Sequence, residues 1–305
     1  MPTALVTGAS GFLGSHLCMA LTEAGWEVIA LVRKPLLSRI DGVRPLIGDI
    51  FSIASSGELV DRLDAIFHFA AAIPRAGAAS YERLMTVNAA GTAAMLDVYD
   101  RSRAGVFVYA SGLPVIGKPH CLPISEIHPV EPLTPYHASK YAGEVACMEY
   151  ERRTKRRVVA FRITAPYGPG MPDSVLPRFV SAASEDRTLS IYGSGARVQN
   201  FVWAGDVAKA CVSATRKGNG CFNLGGPSGT SMLALAKLAC DIAGRDHSLI
   251  RTHCGTDPQE EYRFEVYTSL FVTEFGMNDR TDIRHGMEAY ARFVESQERY
   301  HGWWI

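Results

Sequence analysis

The sequence predicts an α/β fold in which a doubly wound parallel sheet is joined to a smaller C-terminal lobe. Short apolar runs, rich in β-branched residues, alternate with longer helical patterns through the first half of the chain. The apolar runs are residues 4–7, 28–32, 65–69, 106–110 and 158–163. The helical patterns are residues 12–24, 81–101 and 136–153. Since strand–helix–strand units connect through right-handed crossovers, this order predicts a parallel sheet with helices on both faces.

The composition of the chain changes near Ala165. Beyond this residue Pro, Gly and Ser become frequent, and the predicted elements become shorter. Helical patterns return at residues 177–183, 206–215, 231–243 and 283–298. We therefore assign residues 1–165 to the sheet domain, and residues 166–305 to a smaller lobe that is interleaved with the sheet and covers its cleft.

The bulk properties are those of a globular chain without a charged partner. Its 305 residues carry 31 Lys and Arg against 31 Asp and Glu, which gives no argument for nucleic acid or an anionic membrane as a partner. No apolar run reaches the about 18 residues of a membrane span, and the N-terminus lacks the pattern of a secretory signal. The seven cysteines are scattered without a C-x-x-C pair. These features predict a cytoplasmic protein with free thiols and no metal site.

A basic run at residues 152–157 ends the third helical pattern. Cations are favourable at a helix C-terminus because they oppose its partial negative charge. The run is therefore interpreted as a solvated helix end and not as a nucleic-acid patch.

The segment TGASGFLG at residues 7–14 follows the first strand and opens the first helix. Glycines let the backbone turn sharply and approach a pyrophosphate, whose charge then lies on the free N–H groups of the helix N-terminus. The spacing is G-x-x-G-x-x-G, and its position between a strand and a helix is the context that a dinucleotide site needs. The sequence therefore predicts a Rossmann-type dinucleotide-binding domain. The residues expected to contact the dinucleotide here are Gly8, Ser10, Gly11, Phe12, Leu13 and Gly14.

The end of the second strand indicates which dinucleotide binds. A carboxylate there would hold the ribose 2′-hydroxyl of NAD, but this chain has Val32 followed by Arg33 and Lys34. Two cations suit a 2′-phosphate, so the sequence favours NADP(H), with NAD as the alternative. After the third strand, Asp49 and Ile50 are expected beside the adenine.

Tyr136 and Lys140 stand four residues apart at the start of a predicted helix, after Pro135. Residues at this spacing share one helix face. A phenol with a pKa near 10 is a poor acid–base at neutral pH, but a neighbouring ammonium and a positive nicotinamide ring would favour the phenolate. The pair therefore predicts hydride transfer to or from a carbinol or carbonyl carbon, with Tyr136 as the acid–base.

Nearly the whole chain resembles the extended short-chain dehydrogenase/reductases of the NAD-dependent epimerase/dehydratase family. The resemblance is carried by TGASGFLG (7–14), GDI (48–50), HFAA (68–71), VNAAGT (87–92), YHASK (136–140), PYGPG (166–170), GSGARVQNF (193–201), GDVAKA (205–210) and FNLGG (222–226). It implies that Lys140 binds the nicotinamide ribose and that the helix of Tyr136 packs in a homodimer. It also implies a cofactor groove lined by Ala70, Ala71, Asn88 and Ile163. The VRKP segment (32–35) most resembles the dihydroflavonol-reductase-like branch, in which an Arg meets the 2′-phosphate.

The chain departs from the family pattern at three places. The hydroxyl that polarises the substrate is expected at Gly112, and we assign this role to Ser111, which requires the strand to end or bulge there. Ala165 and Gln199 replace the Asn and Arg that relatives use toward a nucleotide diphosphate. We therefore expect a substrate other than a nucleotide-diphosphate sugar.

Five further side chains receive structural interpretations. His68 is expected to be a packed, hydrogen-bonded histidine, and His137 to face away from Tyr136. Trp203 and the terminal Trp303 and Trp304 are expected in the core or an interface.

Three functions remain open. The leading one is a reductase or dehydrogenase that uses external NADP(H) on a small-molecule substrate. The second is an epimerase or dehydratase that keeps its cofactor bound, and the third is an NADP(H)-sensing protein without catalysis.

Overall fold

In the computed structural model, which describes residues 1–35, 40–56, 62–74, 80–253, 255 and 257–296, the chain is built on a parallel sheet. Within these residues the sheet strands are β1 (Thr3–Thr7), β2 (Glu27–Val32), β3 (Val43–Ile47), β4 (Ala65–His68), β5 (Val106–Gly112), β6 (Val158–Ile163) and β10 (Gly220–Leu224). Their order is β10-β6-β5-β4-β1-β2-β3, with every neighbour parallel. The predicted doubly wound sheet is confirmed, and its ligand-binding switch point lies between β1 and β4. Trp303 and Trp304 lie outside the described residues.

Helices cover both faces of this sheet. One face is covered by α1 (Phe12–Glu23), α7 (Ala204–Ala214) and α9 (Ser269–Phe275). The other face is covered by α2 (Ile50–Ser56), α4 (Gly91–Arg101) and α5 (Pro135–Thr154). Successive strand residues point to opposite faces, so Ala4 and Val6 pack under α1 while Leu5 packs on the opposite face. Burial on both sides explains the continuous apolar runs in the sequence.

The helical pattern predicted for residues 81–101 is one continuous helical segment with a π-helical centre. It comprises α3 (Tyr81–Leu84), a π-helix (Met85–Ala90) and α4. Ser80 caps its start, because its hydroxyl accepts a hydrogen bond from the Arg83 N–H. A π-turn widens the helix locally and often occurs at a functional site.

The C-terminal lobe has its own small core. Its sheets are formed by β7 (Ala165–Tyr167), β9 (Val198–Trp203) and β11 (Gly229–Ser231), and by β8 (Leu189–Tyr192) with β12 (Ile250–His253). Its helices are α6 (Val175–Ser184), α8 (Met232–Ile242) and α10 (Ile283–Glu295). Trp203 packs edge-on against the buried ring of Tyr167, as expected for a side chain at the core.

The two parts of the chain share structure across residue 165. Strand β10 completes one edge of the large sheet beside β6, although it begins at Gly220, well beyond the predicted boundary at Ala165. Helices α7 and α9 likewise pack on the large sheet. Among the residues after 165 that the structure describes, one strand and two helices are thus part of the large-sheet layers.

The basic run at residues 152–157 divides into two parts. Arg152 and Arg153 are exposed in the last turn of α5, as predicted. The interpretation is wrong for Arg156 and Arg157, which are partly buried. Arg156 donates to the carbonyls of residues 99, 100, 102 and 104, and Arg157 donates to those of residues 214, 215 and 218. Both guanidinium groups therefore satisfy carbonyls left free at helix C-termini.

Of the helices that the structure describes, none combines the length and the apolar composition needed to cross a membrane.

Candidate active site

The predicted site residues follow the carboxyl ends of adjacent parallel strands. They lie after β1 (Gly8, Ser10, Gly11, Phe12, Leu13, Gly14), β2 (Arg33, Lys34), β3 (Asp49, Ile50) and β4 (Ala70, Ala71), and at the end of β6 (Ile163). The carboxyl edge of a doubly wound sheet is where ligands bind, so the topology brings these segments to a common edge.

The glycine-rich loop packs so closely that side chains would not fit. Gly8 has φ +68°, and a Cβ there would lie 2.6 Å from the backbone nitrogen of Ala70. A Cβ on Gly14 would lie 2.1 Å from the carbonyl oxygen of Gly8. The first and third glycines thus join the loop after β1 to the segment after β4 and to the first turn of α1.

The N-terminus of α1 is open to an anion. Its N-cap is Gly11, which has no side chain to occupy the first free N–H groups, and no acidic residue lies in the first turn. Ser10 and Gly11 are exposed, whereas Phe12 and Leu13 are partly buried. The N–H donors of a helix N-terminus and the sign of its field suit a pyrophosphate group.

The segments after β2 and β3 offer different chemistry. Arg33 and Lys34 are exposed directly after the buried Val32. The Oδ1 atom of Asp49 accepts the N–H groups of residues 51 and 52, so this carboxylate caps α2. The side chain of Ile50 is buried in the core. The backbone of Ile50, and not its side chain, is therefore the part of this residue that an adenine ring could contact.

A hydrogen-bond chain runs beneath the loop from β1 to α4. The Ala70 N–H donates to Thr7 Oγ1 (3.1 Å), which lies 2.8 Å from Nδ1 of His68. Nε2 of His68 lies 3.2 Å from Thr92 Oγ1, whose hydroxyl donates to the carbonyl of Asn88 (2.6 Å). Because the Thr92 proton is committed to Asn88, His68 donates from Nε2 and accepts the Thr7 hydroxyl at Nδ1.

His68 is therefore a neutral, fully paired histidine. Burial lowers its pKa to about 3, with a smaller contribution from the nearby Lys140. Its ring stacks on that of Tyr109 at 5.9 Å. The prediction of a packed, hydrogen-bonded histidine is confirmed.

Asn88 lies in the π-helix and uses its amide to join two segments. Its Oδ1 accepts the N–H of Ala72 (2.7 Å), and its Nδ2 donates to the carbonyl of Ala72 (3.0 Å) and to Ser139 Oγ (2.9 Å). Ser139 in turn donates to the carbonyl of Tyr136 (2.8 Å). The segment after β4 is thereby fastened to the first turn of α5.

Local signals define the start of α5. Thr134 caps the helix by accepting the N–H of His137 (3.1 Å), and Pro135 occupies the first turn, where no N–H is needed. Tyr136 is partly buried and Lys140 is buried. The Nζ atom of Lys140 lies 4.2 Å from the ring centroid of Tyr109, whose hydroxyl donates to the Lys140 carbonyl (3.0 Å).

Burial sets the charge states of the pair. It lowers the pKa of Lys140 to about 8, partly offset by Cys147 and Glu144. It also raises the pKa of the Tyr136 phenol. In the protein alone, burial therefore opposes the phenolate that the sequence led us to expect, and added positive charge is needed to favour it.

The assignment of Ser111 as the polarising hydroxyl needs correction. It required β5 to end or bulge at Ser111, but β5 ends at Gly112 and its ladder is regular up to that residue, with Ser111 opposite Arg162 and Gly112 opposite Ile163. The Ser111 hydroxyl donates to Oε2 of Glu144 at 2.6 Å and is buried. Neighbouring strand residues point to opposite faces, so Ser111 is turned away from the face of Gly112.

His137 lies closer to Tyr136 than predicted. The two rings are 5.7 Å apart between centroids, and Nδ1 of His137 is buried without a hydrogen-bond partner among the described residues. Consecutive residues of a helix are about 100° apart around its axis, and this angle sets the positions of the Cα atoms. It does not keep the rings of Tyr136 and His137 apart in the first turn.

Sequence reasoning missed the buried pair of Glu144 and Arg162. Arg162 donates from Nε and Nη2 to the Glu144 carboxylate, at 3.0 Å and 2.6 Å to Oε1. Glu144 lies four residues after Lys140, so helical spacing placed it on the same face. Arg162 is the charged residue in an otherwise apolar run, and this could also have revealed it.

Among the described residues, no group of three or more His, Cys, Asp or Glu side chains is arranged to hold a metal ion.

The chain is similar to several known proteins. The chain is 28% identical to a dTDP-glucose 4,6-dehydratase of Streptomyces niveus (98% of this chain, 94% of the relative). It is 26% identical to a putative UDP-glucose 4-epimerase of Methanocaldococcus jannaschii (97% and 99%). The structure of UDP-glucuronic acid 4-epimerase from Bacillus cereus, in complex with UDP-glucuronic acid and NAD, is similar with a TM-score of 0.84 at 25% identity (97% and 99%). Residues 4–225 match the NAD dependent epimerase/dehydratase family, to which the chain therefore belongs.

Proposed function

We propose that this protein is an NAD(P)-dependent oxidoreductase that transfers a hydride between a nicotinamide and a carbinol or carbonyl carbon. The observation that carries the proposal is the buried Lys140 one turn after Tyr136, on a helix that Asn88 and Ser139 fasten to the dinucleotide groove. An ammonium group is costly to bury, so its position indicates a ligand that uses it.

The chain's own residues supply the binding and the proton. The loop of Gly8 and Gly14 would hold the pyrophosphate, and Lys140 would donate to the nicotinamide ribose hydroxyls. Tyr136 would release or accept the proton at its hydroxyl oxygen. The bound nicotinamide supplies the hydride chemistry, and the positive charge of its oxidised form lowers the pKa of the phenol, which burial alone raises.

We infer a preference for NADP(H) over NAD(H). The support is the exposed pair Arg33 and Lys34 at the end of β2, where a 2′-phosphate would lie. The similar Bacillus cereus epimerase was solved with NAD, which is the alternative that the experiments must exclude.

We infer that the substrate is a small alcohol or ketone and not a nucleotide-diphosphate sugar. Gln199 carries no charge to meet a diphosphate, and the two nearby candidates to replace an Arg are already paired. Arg178 contacts Asp173 at 2.7 Å, and Arg197 contacts Asp257 at 3.2 Å. A bidentate arginine in a desolvated site contributes about 3 kcal/mol or more to anion binding.

The second candidate is an epimerase or dehydratase that retains its cofactor, and the names of the relatives favour it. All these reactions begin with the same hydride abstraction, so residues Tyr136 and Lys140 serve each of them. The third candidate, an NADP(H)-sensing protein, does not need the acid–base pair.

One experiment separates the three candidates. The purified protein is denatured and any released dinucleotide is identified, and a panel of ketones, alcohols and UDP- and dTDP-hexoses is then assayed with added NADPH or NADH. Stoichiometric turnover of added NADPH supports the oxidoreductase. Retained cofactor with micromolar hexose-nucleotide binding supports the epimerase or dehydratase, and binding without any turnover supports the sensor.

We also propose a homodimer formed through the outer face of α5, as the family resemblance implies. This face exposes the apolar side chain of Val145. Light scattering after gel filtration measures the mass in solution.

A further inference from the structure

A desolvated charge pair lies behind the proposed active site. Glu144 of α5 and Arg162 of β6 are 2% and 5% exposed. The Glu144 carboxylate accepts Nε and Nη2 of Arg162 and the hydroxyl of Ser111, so both of its oxygens are paired. A buried ion pair is a weak source of stability, because the loss of hydration offsets most of the attraction. A further role is therefore expected for this pair.

The second arm of Arg162 reaches another segment of the chain. Its Nη1 donates to the backbone carbonyl of Glu126 at 3.0 Å. The Glu126 carboxylate accepts the N–H of Asn223 in β10 (3.0 Å), and the Asn223 amide donates to the carbonyl of Ile124 (3.1 Å). Residues 124–126 thus form hydrogen bonds with side chains or backbone of two strands of the large sheet, β6 and β10.

These residues belong to a stretch, 122–128, that hydrogen-bonds to a second stretch, 263–267. We call the two stretches together the wall segment. The Ile124 N–H donates to the carbonyl of Glu265 (2.7 Å), and the Tyr267 N–H donates to the carbonyl of Ile124 (2.8 Å). Pro123, Glu265 and Val266 line one side of an open cavity of about 480 Å³. The lobe strands β9 and β11 line the other side.

We propose that Arg162 is a positioning residue, whose guanidinium holds the wall segment in fixed register with the helix that carries Tyr136 and Lys140. The planar fork of arginine presents donors in two directions, so one side chain can grip Glu144 and the Glu126 carbonyl together. The proposal rests on the proposed roles of Tyr136 and Lys140, and it assigns to Arg162 the placement of one cavity wall relative to them.

Two variants separate this role from core stabilisation. Arg162→Lys keeps a positive charge for Glu144, but a single ammonium lacks the fork that reaches both partners. The double variant Glu144→Gln/Arg162→Met removes both charges of the pair together, so neither member is left buried without its partner, while the contact to Glu126 is lost. Arg156→Lys is the matched control, because Arg156 is a partly buried arginine that donates to four carbonyls away from the wall segment.

Hydrogen exchange of backbone amides is measured peptide by peptide, together with the melting temperature and the affinity for NADPH. In both Arg162 variants, exchange in residues 122–128 and 263–267 is expected to accelerate about tenfold or more. Exchange in residues 8–14 and the NADPH affinity are expected to stay near wild type. Arg156→Lys is expected to accelerate exchange only near residues 99–104.

Turnover supplies a second measurement. With the carbonyl compound that the wild type reduces best, Arg162→Lys is expected to raise KM about tenfold and to change kcat little, because the wall moves while Tyr136 stays in place.

Two outcomes would overturn the proposal. Backbone amide exchange in the wall segment at the wild-type rate in both variants would show that Nη1 of Arg162 does not hold this segment in place. A uniform acceleration over the whole chain would reduce the pair to a core stabiliser. Absence of turnover in the wild type would count against the proposed function alone, since the exchange measurement remains readable without it.

Discussion

At the scale of single residues, Lys140 keeps an ammonium group in a site that excludes water. Its folded-state pKa is about 8, against 10.5 as an ordinary lysine. The unfolded chain therefore binds more protons between these values, and stability rises with pH across this window. Below pH 8 the buried charge lowers the free energy of unfolding by about 3 kcal/mol.

Lys140→Met should consequently stabilise the fold while it weakens the cofactor site. The free energy of unfolding should rise by about 3 kcal/mol near pH 7.5 and by about half as much near pH 9.5, measured by urea titration. The exposed Lys118→Met is the control and should change stability little at either pH. A destabilised Lys140→Met protein at neutral pH would contradict the burial argument.

His68 gives the same direction of pH dependence as Lys140, but in a more acidic window. Its folded-state pKa is about 3, against 6.5 as an ordinary histidine. Between these two values the imidazole is protonated in the unfolded chain and neutral in the folded chain. The stability that neutral His68 provides is therefore lost as pH falls from 6.5 toward 3.

His68→Asn should remove this acid sensitivity, because the Asn amide does not titrate and its oxygen can still accept from Thr7. Between about pH 7.5 and pH 5, the wild type should lose about 2 kcal/mol more than the variant. Urea titrations at the two pH values measure the difference, and equal losses would show that His68 does not titrate as described.

At the scale of elements, the end of β2 carries our proposal of a preference for NADP(H). Arg33→Ala should weaken NADPH binding about tenfold or more and leave NADH binding nearly unchanged, since a charge-assisted bond to the 2′-phosphate is lost. Fluorescence titration measures both affinities. Arg44→Ala is the matched control, because Arg44 is an exposed arginine on the adjacent strand β3, 4.0 Å from Glu27. Equal loss of both affinities in Arg33→Ala would contradict the NADP(H) preference.

The long elements could be predicted because burial on both faces leaves a clear pattern in the sequence. Residues 158–163 were predicted as a strand and form β6 with the same bounds. The π-helix at Asn88 was not predictable, since the contacts of Asn88 with Ala72 and Ser139 join segments far apart in sequence. Gly112 and Pro114 did mark the end of β5, but the ladder to β6 stays regular up to Gly112, which the sequence did not reveal.

At the scale of the whole molecule, the chain returns to its first sheet after building the lobe. Strand β10 is short and begins at Gly220, so its pairing with β6 depends on tertiary contacts and carries little local signal. The site could be predicted at Tyr136 and Lys140, whose spacing is local. Arg162, Glu126 and Asn223 lie far apart in sequence, and only the fold brings them together.

The central claim is that Tyr136 moves the proton in a hydride transfer, and Tyr136→Phe tests it most directly. NADPH oxidation by the best carbonyl substrate of the panel is followed for the wild type, for Tyr136→Phe and for Tyr141→Phe, a control on the same helix. In Tyr136→Phe, kcat is expected to fall at least about a hundredfold, with NADPH affinity nearly unchanged and Tyr141→Phe close to wild type. A Tyr136→Phe protein that turns over at nearly the wild-type rate would show that another group moves the proton.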